Sequence, residues 1–317
     1  MVYHILKGID EGIPVLNKLI ELIDFNAMQM NGLDECQRLF HGRGHAYEGY
    51  EHINIDWLSP IILITLYRET DEDWLKQLAE TLRENIPACH SVQVQYRHQY
   101  QAPMKLLLGE DIAHTIVREN GLQFNIQLGT SQNTGLFLDM RNGREWVRSH
   151  ALDKNVLNLF AYTCAFSVAA LAGGARRVLN VDNNKSVLSK GRENHRLNQQ
   201  DTTRVRFEGV DIFRSFSRIK KHGPYDLMVC DPPSFQKGSV DIRRDYKKII
   251  RRIPQFMQPQ GLLMLCLNSP DLDEAFLHDV IQQECADCHY IETINNPDVF
   301  KEAMLGKGLK VQVFQYQ

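Results

Sequence analysis

The sequence predicts an α/β fold: a doubly wound, mostly parallel sheet with an antiparallel last strand, joined to a smaller N-terminal α+β domain. Three observations predict it. From residue 155 onward, short apolar runs alternate with segments of helical spacing. The run 226–230 is largely apolar, as in a strand covered on both faces, and stops at Pro232 and Pro233. Before residue 100 the alternation is less regular, with strand-like runs clustered around a single strong helix.

The elements follow in order. Residues 13–23 carry Val15, Leu16, Leu19, Ile20 and Ile23 at helical spacing. Residues 47–67 read as strand, and 71–85 as a helix opened by acids and bearing Trp74, Leu75, Leu78 and Leu82. Residues 91–96 alternate as a strand. The stretch 112–128 reads as a hairpin around Asn120-Gly121, a pair that takes positive φ readily. Strands are then expected at 156–160, 177–182, 205–208, 226–230 and 261–267, with helices at 167–172, 185–198, 241–257 and 272–284. Two C-terminal strands close the chain. The expected division is a small α+β domain over 1–100, a connecting segment over 101–150 and the α/β domain over 151–317.

Composition excludes several classes. Of 317 residues 43% are hydrophobic and 24% charged, ordinary for a globular protein. The opening MVYHILKGIDEGIP lacks a basic region followed by an apolar core. The apolar run 57–67 is too short to span a bilayer. A cytoplasmic protein with no membrane partner is expected. Seven scattered cysteines fit reduced thiols. Cys285-x-x-Cys288 with His289 is the only metal-like spacing and lacks a second pair, so no metal is expected. No oligomeric state is assigned.

Doubly wound sheets bind nucleotide cofactors at strand ends, usually through a glycine-rich first turn and an acid about 20 residues later. Asp182 supplies the acid, but Phe160, Tyr162 and Cys164 stand where small residues would admit a pyrophosphate. This argues against a dinucleotide and for a cofactor without phosphates, S-adenosyl-L-methionine. Asp211 can accept from an adenine amino group, with Ile212 or Phe213 against the ring. Asp231 ends the next strand. Each acid alone reads as a cap or turn residue; together they mark one edge of one sheet.

These residues carry a resemblance. TGLFLDMR (134–141), NLFAYT (158–163), GGARRVLNVD (173–182), ENHRLN (193–198), YDLMVCDPPSF (225–235) and a following basic helix resemble bacterial large-subunit ribosomal RNA methyltransferases with a Rossmann-like, S-adenosylmethionine-dependent domain. The nearest likeness is the guanine-N7 module, with cytosine-C5 enzymes as relatives. A weaker match at 38–57 extends it toward the N-terminus. The resemblance implies that Thr134, Phe137 and Arg141 line the cofactor site with Asp139 nearby. It implies that Asn158, Phe160, Tyr162 and Thr163 form the first-strand loop, that Asp182 with Asn183 holds the ribose, and that Asp211 with Ile212 holds the adenine. Asp231, Pro232, Pro233 and Phe235 would hold the target base, Asp231 bordering the cofactor as well. Cys164 stands where such enzymes usually have glycine.

A nitrogen such as guanine N7 needs no covalent help to take a methyl group. Carbon-5 of a pyrimidine needs a cysteine adduct. Cys266 is the candidate thiol, although the relatives' nucleophile falls where this chain has Asn268; a small buried core residue is the favoured reading of Cys266. Lys237, Arg243, Arg244, Lys247, Lys248, Arg251 and Arg252 form a basic cluster read as contacting RNA phosphates, with 244, 247, 248, 251 and 252 on one helical face. The alternatives are a cytosine-C5 enzyme, a nicotinamide-dependent oxidoreductase on the same kind of sheet, and a non-catalytic RNA-binding protein of methyltransferase fold.

Overall fold

The computed structural model describes residues 15–233, 240–304 and 306–317; Phe235 and Lys237, named above, lie outside the described residues. The chain divides into two units.

The smaller unit holds Met1–Gly121, Ile126–Thr134 and Val299–Met304. Two short helices, α1 (Leu16–Glu21) and α2 (Phe25–Asn31), precede a five-stranded sheet of β1 (Gln37–His41), β2 (Ile53–Leu58), β3 (Ile61–Leu66), β4 (Ser91–Tyr96) and β5 (Met104–Gly109), paired in that order. Helix α3 (Glu72–Asn85) makes the crossover that the parallel pair β3/β4 requires. Asp71 caps α3 by accepting from the Trp74 N–H at 2.8 Å, and Glu72 and Asp73 suit the positive end of its dipole. Trp74, Leu75, Leu78 and Leu82 bury its apolar face against Ile53, Ile55, Ile62 and Ile64. Two expectations change here. β4 is buried on nearly every residue rather than alternating, and β5 extends the small sheet past residue 100. The hairpin of β6 (His114–Glu119) and β7 (Leu122–Gln127) turns at Asn120 and Gly121, both with φ above +50°, and the division between the units runs through it.

The larger unit holds α4 (Arg141–His150), β8 (Asn155–Leu159), α5 (Ala165–Ala172), β9 (Arg177–Asp182), α6 (Lys185–Leu197), β10 (Val205–Gly209), α7 (Phe216–Lys220), β11 (Tyr225–Cys230), α8 (Ile242–Ile250), α9 (Ile253–Phe256), β12 (Met257–Leu267), α10 (Ala275–Glu284), β13 (Cys288–Thr293) and β14 (Lys310–Tyr316). Seven strands pair in the order β10-β9-β8-β11-β12-β14-β13. Pairing is parallel from β10 to β12; β14 runs antiparallel to both its neighbours. Because successive strand residues point to opposite faces, the sheet builds two cores. Leu157, Leu179, Met228 and Leu263 face α8, α9 and α10. Val156, Val178, Val229 and Met264 face α4 and α5.

The helix expected over 241–257 is a correction. α8 stops at Ile250 and a short α9 follows, with Pro254 in its first turn, where a missing N–H costs nothing. Residues from Met257 onward already belong to β12. Arg251 caps α8, its N–H donating to the Lys247 carbonyl at 3.1 Å, and Arg252 precedes α9.

Candidate active site at the switch point of the large sheet

The chain winds outward from the centre of the sheet in both directions, so the order reverses between the neighbouring strands β8 and β11. Open α/β sheets form their binding crevice at the carboxyl ends of such a pair. The loop 160–164 leaves β8 there, with Asp182 ending β9, Asp211 following β10 and Asp231 following β11.

The β8 loop is strained. Phe160, Tyr162 and Cys164 have φ of 56°, 48° and 61°. Left-handed backbone at a residue with a side chain costs on the order of 1–3 kcal/mol, so the surroundings must impose it. The Ala161 N–H donates to the Val181 carbonyl at 3.1 Å, and the Tyr162 N–H to Asp182 Oδ2 at 2.9 Å. Thr163 Oγ1 donates to the Gly135 carbonyl at 2.6 Å, and Asn194 Nδ2 to the Thr163 carbonyl at 3.0 Å. Cys164 is fully buried against Gly191 of α6; a Cβ there would lie 2.4 Å from its sulfur. The larger residue at 164 is thus accommodated by a glycine on the facing helix. Burial raises the Cys164 thiol well above its ordinary pKa.

A buried polar chain stands behind the loop. Asn158 Nδ2 donates to Asn180 Oδ1 at 2.8 Å, and Asn180 Nδ2 to Ser167 Oγ at 2.9 Å. Ser167 Oγ lies 2.9 Å from His195 Nε2, whose Nδ1 lies 2.6 Å from Gln200 Oε1. Burial lowers His195 to about 4, so it is neutral at pH 7. Asn158 and Thr163, both expected at the cofactor, are buried, and their side chains are engaged in holding the loop.

The three acids differ. Asp182 accepts from the N–H groups of Tyr162 and Asn184, each at 2.9 Å; burial raises its pKa against the pull of those two bonds. Asn183 follows it on the same turn. Asp211 Oδ1 caps the one-turn helix after β10, accepting from Phe213 N–H at 2.8 Å and Arg214 N–H at 3.3 Å. Ile212 is packed in the core rather than open to the crevice. Asp231 is only partly covered as a residue, yet its carboxyl is dehydrated enough to be raised to about 7, chiefly by burial and next by the Asp139 carboxylate, with Arg144 pulling the other way. Pro232 behind it is buried.

Asp139 lies in the one-turn helix Leu138–Met140, with one carboxylate oxygen fully buried. Arg144, one turn into α4, is 3% exposed and donates to the Phe137 carbonyl at 2.7 Å. The Phe137 ring is 43% exposed and lies 5.5 Å from that of Tyr162. Arg141, expected at the cofactor, is half-buried at the start of α4, whereas Thr134 closes a segment of the smaller unit. Cys266 is fully buried in β12. Burial, then Asp231, raises its thiol well above the ordinary range. The Tyr246 hydroxyl lies 2.9 Å from its carbonyl and 3.2 Å from that of Cys230, tying α8 to both strands.

The basic cluster is largely engaged internally. Arg244 holds the buried Asp245 through two bonds of 2.9 Å, and Lys248 reaches the same carboxylate at 2.7 Å. That carboxyl is held far below the usual range, first by Arg244. Arg251 pairs with Glu284, and Arg252 stacks over Phe216. Among the described residues, Arg243 and Lys247 form no ion pair.

Sequence reasoning missed Arg144, Gly191 and the Asn158–Asn180–Ser167–His195 chain. Arg144 falls one helical turn after Met140, a spacing that places it beside the site. Nothing in a linear reading pairs Gly191 with Cys164.

Fold and crevice define a doubly wound α/β protein with acids at the carboxyl ends of three of its strands. The chain belongs to the S-adenosylmethionine-dependent methyltransferase family, whose model matches residues 37–315. It is 28% identical over 325 residues to the ribosomal RNA large subunit methyltransferase I of Erwinia tasmaniensis, covering 96% of this chain and 81% of that protein. It is 30% identical over 259 residues to the protein of the same name from Yersinia pseudotuberculosis, covering 77% of this chain and 65% of that one. The fold matches the crystal structure of SMU.776 complexed with SAH, with a TM-score of 0.83 at 24% identity, covering 96% of this chain and 83% of that one. The protein is an S-adenosylmethionine-dependent methyltransferase, and the nicotinamide alternative falls. Among the described residues no helix is long and apolar enough to cross a membrane, and no group of His, Cys, Asp and Glu forms a metal site.

Proposed function

We propose that the chain methylates a nitrogen of an RNA base, with guanine in ribosomal RNA as the favoured target. The observation that carries the choice of nitrogen is Cys266. Burial of Cys266 in β12, which also raises its thiol above the ordinary range, favours a direct transfer over a covalent adduct on a pyrimidine ring, and Asn268 follows the end of that strand. A ring or amino nitrogen supplies its own lone pair. The RNA substrate rests on the relatives named for ribosomal RNA and on Arg243 and Lys247, one helical turn apart on the helix that follows the Asp231 segment.

S-adenosylmethionine supplies a methyl group activated on a sulfonium sulfur. The residues fit it. A carboxylate offers about four acceptor positions, and two of those on Asp182 serve backbone N–H groups, leaving others for ribose hydroxyls. The side chains on the β8 loop deny the bare-backbone approach a pyrophosphate needs, which a phosphate-free cofactor does not require. Phe137 and Tyr162 offer apolar surface beside it. On the other side of the crevice, Asp231 and the carbonyls of Pro232 and Pro233 accept from the base. The smaller unit serves the RNA beyond the target base.

Cys266→Ala should retain RNA methyl transfer within about twofold of wild type, since free buried cysteine acts as a small apolar residue. Loss of activity in a variant that unfolds at the wild-type denaturant concentration would restore the covalent pyrimidine route.

A further inference from the structure

The stretch ENHRLN (193–198) forms the end of α6 and its C-cap. Its His195 belongs to the polar chain behind the β8 loop. Its two asparagines, one turn apart, reach the segment Leu122–Asn125 of the same unit. Asn198 Oδ1 accepts from the Gln123 N–H at 2.8 Å, and its Nδ2 donates to the Gln123 carbonyl at 2.8 Å. Asn194 Oδ1 accepts from the Asn125 N–H at 2.9 Å and from Asn125 Nδ2 at 3.2 Å. The Asn194 Nδ2 turns the other way, to the Thr163 carbonyl at 3.0 Å, and Thr163 Oγ1 donates onward to the Gly135 carbonyl at 2.6 Å. Gly135 has φ of 119°, and the Asn125 carbonyl oxygen lies 2.8 Å from where a Cβ would stand. The β8 loop, the start of the Gly135–Phe137 turn and the β7 backbone thus meet around one fully buried amide.

We infer that Asn194 is a positioning residue for cofactor binding: through Thr163 it fixes the β8 loop against the turn that carries Phe137. The inference rests on the reading that sets S-adenosylmethionine beside Phe137 and Tyr162, and it names what holds those two rings. Tyr162 precedes Thr163, Phe137 follows Gly135 by two residues, and the ring centroids stand 5.5 Å apart. The left-handed residues at 160, 162 and 164 persist only where the surroundings impose them, and the bond to the Thr163 carbonyl falls between the last two. The position calls for an acceptor toward Asn125 and a donor toward Thr163, back to back. Only a side-chain amide supplies both; a carboxylate accepts alone and an apolar residue does neither.

Asn194→Asp tests this, because it keeps the acceptor for Asn125 and loses the donor to Thr163. Asn198→Ala, which releases Gln123 alone, is the comparison. Binding of S-adenosylmethionine to the full chain is measured by calorimetry, and stability by urea unfolding. Both variants should unfold at lower urea, but only Asn194→Asp should raise the Kd, by about tenfold, with Asn198→Ala within about twofold of wild type. Thr163→Val breaks the next bond of the same clasp and should raise the Kd likewise, with Thr163→Ser returning it toward wild type; this pair decides the matter if Asn194→Asp does not fold. An unchanged Kd in Asn194→Asp, or in Thr163→Val where the first variant is unfolded, would overturn the inference. Equal loss of affinity in Asn198→Ala would also overturn it, leaving α6 a general support. Tyr162→Ala and Phe137→Ala separate the inference from the reading beneath it. If neither weakens binding, the reading itself fails; if they weaken it and Asn194→Asp does not, the inference alone fails.

Discussion

Asp231 combines two properties that work against each other. Burial and Asp139 lift its carboxyl from an ordinary 3.8 to about 7. An acid whose folded pKa lies above its unfolded one favours folding below the unfolded value, and that advantage is lost as pH rises to the folded value. Asp231→Asn removes the penalty. The variant should be more stable than wild type at pH 8, with the difference shrinking toward pH 4, as urea unfolding at the two pH values would show. An equal gain at both would mean the carboxyl is not dehydrated. The presence of the three acids was legible in the sequence, because each follows a strand-like run. Their availability was not. Asp211 spends one oxygen on a one-turn helix, and Asp182 spends two acceptor positions on loop amides. Such engagements depend on backbone placed by tertiary packing.

Among the elements, the β8 loop and α6 form one unit. The loop holds three non-glycine residues in left-handed geometry, and α6 makes room for the last of them through Gly191. Gly191→Ala should cost about 1–3 kcal/mol, since overpacking a filled core forces backbone or rotamer shifts. Adding Cys164→Gly should restore most of that loss, because glycine adopts φ near 60° freely and leaves space for the new methyl. Additive losses in the double variant, measured by denaturant unfolding, would sever the coupling. The order of strands and helices was readable from alternating apolar periods. The break after α8 was also present in the sequence as Pro254, yet the basic run masked it. Asp245, an acid within that run, is the buried centre that Arg244 and Lys248 serve. Charge composition alone does not show which charges pair.

For the molecule as a whole, the family and its cofactor follow from one matched span, residues 37–315, and the reversal of strand order at β8 and β11 puts the site at the middle of the large sheet. The proposed nitrogen acceptor rests on the burial of Cys266 in β12. The most direct measurement is the identity of the methylated atom. Ribosomal RNA from a strain lacking the gene is incubated with the protein and labelled S-adenosylmethionine, and the nucleosides are resolved by mass spectrometry. The account predicts a single guanine product labelled on a nitrogen. Label on carbon-5 of cytosine, or no label in RNA, would contradict it.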